Sequence, residues 1–283
     1  MDRAMEDKPV DHLKGARKSF HIVVDFALRV SLALNGKPAT NQSELASVVQ
    51  AKMAVNGASI EHVLGAPIFD HSVVISLCRM IMESSVFFQY LRETVDQDEW
   101  QCRLLCMRLH DATNRIKLLR GFQKPDEHAD LRAGREDLLK QLEENAHYKS
   151  LPAERAERLL SGEHFYLRGV NTAVGVSAKW NAKKYMALYS YFSAHAHSAP
   201  MSFFRFKEQR MRFGDPSEAQ RNTMVTALSV AEYSLLKVSL AYLRASPDSI
   251  ASFEAKELAD MDSDLNSWRA QFETDRGVDV SVL

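Results

Sequence analysis

Residues 68–93 read IFDHSVVISLCRMIMESSVFFQYLRE, and the placing of their apolar side chains decides the fold class. Its apolar side chains, Val73, Val74, Leu77, Ile81, Phe87 and Phe88 among them, recur so closely that, wound at 3.6 residues per turn, they together cover nearly the whole helical circumference. A helix apolar on all sides belongs in the middle of a bundle. Arg79 and Glu83 break the run, so it lacks the roughly 18 uncharged apolar residues of a membrane span. Four residues apart, these two charges share one face. Burying them costs several kcal/mol per ion unless further hydrogen bonds compensate, so a polar group from another helix should meet them.

Helical periodicity continues on both sides. Upstream, Val10, Leu13, Phe20, Val23, Val24, Ala27, Leu28 and Leu34 form a stripe ended by Gly36 and Pro38. Asn41 with Glu44 reads as a capping box for a second helix ending near Asn56-Gly57, and a short helical turn follows before Gly65-Ala66-Pro67. Downstream, residues 100–119 make an amphipathic helix. Residues 126–147 are strongly charged with a narrow stripe of Leu131, Leu138, Leu139 and Leu142, which reads as a protruding helix or hairpin arm. Residues 164–178 show no period and read as loop, and Trp180 to Ser198 is helical again. Residues 201–213 (MSFFRFKEQRMRF) suit a short β-hairpin or ordered loop. Ser217 and Gln220 cap a long helix that runs to Ala245, and Ser246-Pro247-Asp248 separates it from a polar C-terminal helix and tail.

Only 11 glycines and 8 prolines punctuate the 283 residues, too few for a chain of many strands and tight turns. The expectation is an all-α fold. It is one domain over residues 1–283, a bundle of about eight helices with its core at 10–122 and 178–245, a polar arm at 123–162 and a C-terminal part at 246–283. Thirty-six basic against 37 acidic residues leave a net charge of −1, so no global field draws the protein to nucleic acid or a membrane, and any such partner must meet a local patch. Cys78, Cys102 and Cys106 read as buried free thiols of a reducing compartment, because two thiols on one face lack the further ligands of a structural zinc. The N-terminus carries acids and no apolar stretch of a signal peptide, and a cytoplasmic location is expected.

The polar partner for Arg79 and Glu83 has one clear source. Residues 189–200 read YSYFSAHAHSAP, and Tyr185, Tyr189, Ser193 and His197 recur at four-residue steps along one helix face, beside apolar Leu188, Phe192 and Ala196. His195 lies about 160° from His197 at 100° per residue. Two readings stand. In one, the groups form a structural network that ties two helices in register. In the other they form a site, where His197 accepts a proton near neutral pH, Arg79 binds phosphate oxygens bidentately and Glu83 orients one of them.

R-x-x-x-E in a central helix, followed by Y-x-x-x-S-x-x-x-H-S, resembles a family of mostly bacterial helical proteins grouped with the HEPN (higher eukaryotes and prokaryotes nucleotide-binding) domains. Here the matching positions are Arg79, Glu83, Tyr189, Ser193, His197 and Ser198, within a similarity of layout over residues 65–245. The resemblance implies a helical bundle, often dimeric, in a superfamily that includes metal-independent ribonucleases. No cofactor is implied. Those nucleases carry an arginine and, four to six residues later, a histidine on one helix. Ser193, Phe192 and Tyr191 hold the corresponding places before His197, so Arg79 would have to supply the guanidinium. A stress or phage-defence role follows from the resemblance alone.

After the histidines, Phe203, Phe204, Phe206 and Phe213 interleave with Arg205, Lys207, Arg210 and Arg212. Cations for phosphates with rings for base stacking are how single strands are gripped. Phenylalanines plugging the core beneath solvated cations would read the same. Glu144 and His147 have the E-x-x-H spacing of a di-iron ligand pair, but no second pair exists and a solvated face is the simpler reading. A metal site from Glu83, His195, His197 and Asp111 is a further alternative, and His110-Asp111 otherwise reads as a surface pair. Phosphate-loop, dinucleotide and nucleophile-elbow motifs are absent. RNA and a second copy of the chain are the expected partners, with a non-enzymatic interaction protein and a metal-dependent enzyme as rival readings.

Overall fold

A computed structural model describes residues 12–36, 40–122, 126–196, 200–208 and 210–273. The described residues are almost entirely helical, and the one β-type pairing among them is an isolated bridge between Trp180 and Glu273. The all-α reading holds. Thirteen α-helical segments replace the expected eight. The excess comes from short turns that no periodicity reveals.

The chain divides into two compact units, residues 12–92 with 177–273, and residues 93–176. The Trp100 helix, read with the core from its sequence, therefore falls with the charged segment that follows it.

The first unit holds α1 (His12–Leu34), α2 (Asn41–Gly65) and α3 (His71–Arg92). The second holds α4 (Gln97–Gly121), α5 (Asp126–Glu144), α6 (Ala146–Lys149), α7 (Ala153–Leu160) and α8 (Val170–Thr172). The chain then returns to the first unit for α9 (Ala182–Ala196), α10 (Pro200–Glu208), α11 (Glu218–Arg244), α12 (Pro247–Ile250) and α13 (Ala255–Phe272).

In the first unit α2 packs on α3, and α11 packs chiefly on α1 and α3. The most enclosed helix is α11 rather than α3. It buries Val230 to Ser239 without a gap, whereas Val73 and Met80 of α3 stay exposed. Ser217 and Gln220 form the expected capping box at its start. Two charges lie in this core. Glu232 accepts from Ser19 (2.8 Å) and the Trp268 indole (3.2 Å), and burial raises its pKa. Lys237 donates to Glu273, Tyr233 and the Ala178 carbonyl, each at 2.6 Å. By length and composition α3 and α11 are both apolar enough to cross a membrane, α3 even with Arg79 and Glu83 in its run. Half of the most apolar stretch of α3 and 78% of that of α11 are buried within the protein, as in a core helix.

The helix-start and helix-stop signals of α2 were misplaced. Thr40, not Asn41, is the cap, and it exchanges hydrogen bonds with Ser43 rather than Glu44. The helix passes through Gly57 because α1 and α11 press against it. A Cβ there would stand 2.8 Å from Val24 Cγ2 and 3.3 Å from Leu235 Cδ1.

Among the described residues of 201–213 there is no hairpin. Pro200 opens α10, a position where its missing N–H costs nothing, and helix formers follow to Glu208. Nor are residues 164–178 simple loop, since the turn α8 runs into a π-helical turn at Ala173–Ser177.

In the second unit the charged helix α5 lies along α4 instead of protruding freely. Leu142 is fully buried with Leu105, Leu109 and Leu159, and Leu138 and Leu139 pack against them, so the leucine stripe is spent inside this unit. Gly162, at φ +71°, is obligatory. A Cβ would meet Thr113 Oγ1 at 2.1 Å, and its backbone conformation excludes most side chains.

Candidate functional site

Helices α3 and α9 bring together the two segments whose meeting the sequence motifs required. Arg79 Nη2 donates to Glu83 Oε1 (3.0 Å) and to the Tyr189 hydroxyl oxygen (3.1 Å). The guanidinium carbon also stands 4.7 Å from the centre of the Tyr189 ring. The Arg79 side chain is 14% exposed and that of Glu83 is 38%. This guanidinium is therefore held on three sides by an acid, a hydroxyl and a π-face.

Behind it, Tyr189 stacks at 6.3 Å on Tyr185, which meets the buried Trp180 edge-on at 5.5 Å. The Ser193 hydroxyl turns inward and donates to the Tyr189 carbonyl of its own helix (2.6 Å), which leaves it without a share in the Arg79 cluster. His197 and Ser198 lie outside the described residues, so the imidazole of the motif has no described position.

His195 is nearly fully buried. It meets the His71 ring edge-on at 5.4 Å and the Tyr191 ring at 5.0 Å, in contacts that do not involve Glu83. Burial lowers the pKa of His71, with Asp70 at 3.4 Å opposing it, so this imidazole is neutral near pH 7. Among the described residues no three histidine, cysteine, aspartate or glutamate side chains converge as metal ligands. Asp111 is exposed and faces Arg115 at 3.4 Å in its own unit. His110 is not a surface partner for it, since its Nδ1 lies 2.9 Å from the Gly162 carbonyl.

The E-x-x-H step is broken by the backbone. Glu144 ends α5, and Asn145 caps the new helix α6 that carries His147. His147 lies 3.9 Å from Glu99, part of a buried cluster that spacing alone did not disclose. There Glu99 accepts from Arg103 and, at 3.1 Å, from Arg168, while Arg103 also reaches Glu93 at 2.7 Å. The i, i+4 pairing of Glu99 and Arg103 was its one readable signal. The three cysteines are buried free thiols. Burial raises the pKa of Cys78, and a hydrogen bond with Cys102 together with burial raises that of Cys106, so neither is a ready nucleophile.

The basic–aromatic segment departs most from the bland expectation. Phe203 and Phe204 are 64% and 69% exposed and Phe213 is 50% exposed, so they plug no core. Phe206 is half-buried against Phe213 at 5.0 Å. Lys207, Arg210 and Arg212 are exposed beside them, while the side chain of Arg205 lies outside the described residues.

The backbone at Arg212 and Phe213 is held by hydrogen bonds. Buried Gln220 accepts from the Arg212 N–H (2.8 Å), donates to the Arg212 carbonyl (2.8 Å) and stands 3.3 Å from His71 Nδ1. The Phe213 carbonyl accepts from the Phe69 N–H at 2.8 Å. A single glutamine thus caps α11 and fixes the strand of chain that displays Arg212 and Phe213.

No family model, curated protein or solved structure matches the chain.

Proposed function

We propose that the chain is a helical, HEPN-like protein that binds single-stranded RNA through residues 203–213. One observation carries this reading: Phe203, Phe204 and Phe213 project into solvent among Lys207, Arg210 and Arg212. Exposing three large rings is costly in water, and an unpaired base recovers that cost by stacking while the cations neutralise its phosphates. Gln220 supports the reading from below, because a preset display loses less entropy on binding.

The Arg79 cluster has a structural part in this proposal. Its guanidinium already has an acid and a hydroxyl in place, and it links α3 to the helix that leads into the binding segment. Ribonuclease chemistry, the second reading, would need His197 to share the Arg79 pocket.

Fluorescence anisotropy with a labelled oligouridine tests binding. Three phosphate contacts give a log–log salt slope of about −2, and Phe204→Ala weakens binding about tenfold. Affinity below detection at about 10 μM protein, or no response to salt, would defeat the proposal. Incubating wild type, His197→Ala and Arg79→Ala with total RNA separates the second reading, which requires cleavage by the wild type alone.

A further inference from the structure

The second unit contains a cavity of about 450 Å³ that plays no part in the RNA reading. It opens between α7 and the loop that enters α8. Acidic side chains outnumber basic ones across residues 93–176, yet Arg155, Arg158 and Arg168 all line this one space.

Arg155 and Arg158 stand three apart on α7, whose other side is anchored by buried Leu159. Arg155 Nε donates to the Leu167 carbonyl at 2.7 Å, and its Nη2 donates to the Tyr166 carbonyl. These two bonds hold the guanidinium at the wall of the cavity. Arg158 is held at 2.7 Å by Glu154, a pair of exposed side chains that another anion can open. Arg168 reaches Glu99 with one nitrogen while 54% of its side chain stays exposed, and Glu99 is already claimed by buried Arg103. The other carboxylate on the wall, Glu163, is taken by Lys117 at 2.8 Å, a bond that lowers its pKa. Phe165 and Tyr166, 4.3 Å apart and tilted by 36°, add an apolar wall.

We propose that this cavity binds a small phosphate monoester, with the phosphate among Arg155, Arg158 and Arg168 and an attached flat ring against Phe165 and Tyr166. Guanidinium forks match phosphate oxygens two at a time, and the volume suits a ligand of that size. The site is independent of the RNA surface and stands or falls without it.

Calorimetric titration of the whole protein with phenyl phosphate, inorganic phosphate and phenol tests the proposal. Phenyl phosphate should bind about tenfold tighter than inorganic phosphate, and phenol not at all. Arg158→Ala, at an exposed position that leaves the fold intact, should weaken binding about tenfold. Glu154→Gln should tighten it several-fold by releasing Arg158, a gain that a merely structural role would not give. Arg132→Ala, in the neighbouring groove formed with Lys117, Arg120 and Arg135, should change nothing. The proposal is overturned if neither wild type nor Glu154→Gln binds phenyl phosphate at about 5 mM. It is equally overturned if Arg158→Ala binds as wild type does, or if Arg132→Ala loses as much as Arg158→Ala.

Discussion

Replacing Tyr189 by phenylalanine removes one oxygen and keeps the ring, which isolates the bond between α9 and Arg79. That bond joins a charged donor to a hydroxyl at 3.1 Å, on a guanidinium only 14% exposed. Hydrogen bonds from charged groups contribute about 1.5–3 kcal/mol, and Tyr189 is half-buried, so a loss of about 1–2 kcal/mol is expected. The guanidinium still faces the ring from 4.7 Å, a contribution of about 0.5–1 kcal/mol that only Tyr189→Ala removes. Glu83 is 38% exposed, so Glu83→Gln should cost about 0.5 kcal/mol. The order of damage is therefore Tyr189→Ala, then Tyr189→Phe, then Glu83→Gln.

Urea unfolding followed by tryptophan fluorescence suits the measurement, because Trp180 is buried in the same unit and linked through Tyr185 to Tyr189. Pairing Tyr189→Phe with Arg79→Met in a double-mutant cycle should return a coupling of about 1 kcal/mol. A Tyr189→Phe variant within about 0.3 kcal/mol of wild type, with no coupling to Arg79, would refute the structural role argued for this cluster.

Gly57→Ala should destabilise by about 1 kcal/mol, since overpacking against Val24 and Leu235 outweighs the gain in helix propensity; a raised melting temperature would contradict the packing argument. Burial lowers the pKa of His71, so the unfolded chain takes up its proton first as pH falls below about 6.5, and stability drops from there; His71→Phe should flatten the change in melting temperature between pH 7.5 and 5.5. Burial lowers Lys237 to about 8, so between that value and about 10 the unfolded chain binds more protons than the native one and stability rises by about 2 kcal/mol. Above about 10 the raised pKa of Tyr233 reverses the trend, and Lys237→Met should lose the rise while keeping the reversal.

The fold class was legible because long helices announce themselves by period, and α1, α3, α4 and α11 fall within a few residues of where their apolar stripes place them. Short-range signals failed where a distant contact decided the outcome. Gly57 reads as a helix stop only while Val24 and Leu235 are unknown. Pro200 reads as a terminator until the helix after it is seen. The leucines of α5 look the same whether exposed or laid on α4, since period reports which face is apolar and not what covers it. That α11 is the most enclosed helix was hidden for a related reason, because Glu232 and Lys237 lower its apparent hydrophobicity. Their partners Ser19, Trp268 and Glu273 are remote in sequence.

For the candidate site, the spacing logic succeeded where both partners sit on regular helices. Arg79 and Glu83 on α3 and Tyr189 on α9 each present one face, so a four-residue period was enough to bring them together. Ser193 shares that period and still leaves the cluster, because a hydroxyl one turn along a helix has its own carbonyl within reach and satisfies it first. The aromatic segment inverts the usual inference. Phenylalanines are placed in cores because burial is favourable, and that prior fails only where something else holds the backbone out. At Phe213 Gln220 does so, with bonds to both main-chain polar groups of neighbouring Arg212, and those bonds were invisible in a sequence where Gln220 already had a complete role as a helix cap. Gln220→Ala should therefore weaken RNA binding with Phe204 and Lys207 intact. Equal affinity in that variant would mean that the display needs no support from α11, and that preorganisation has no part in the grip.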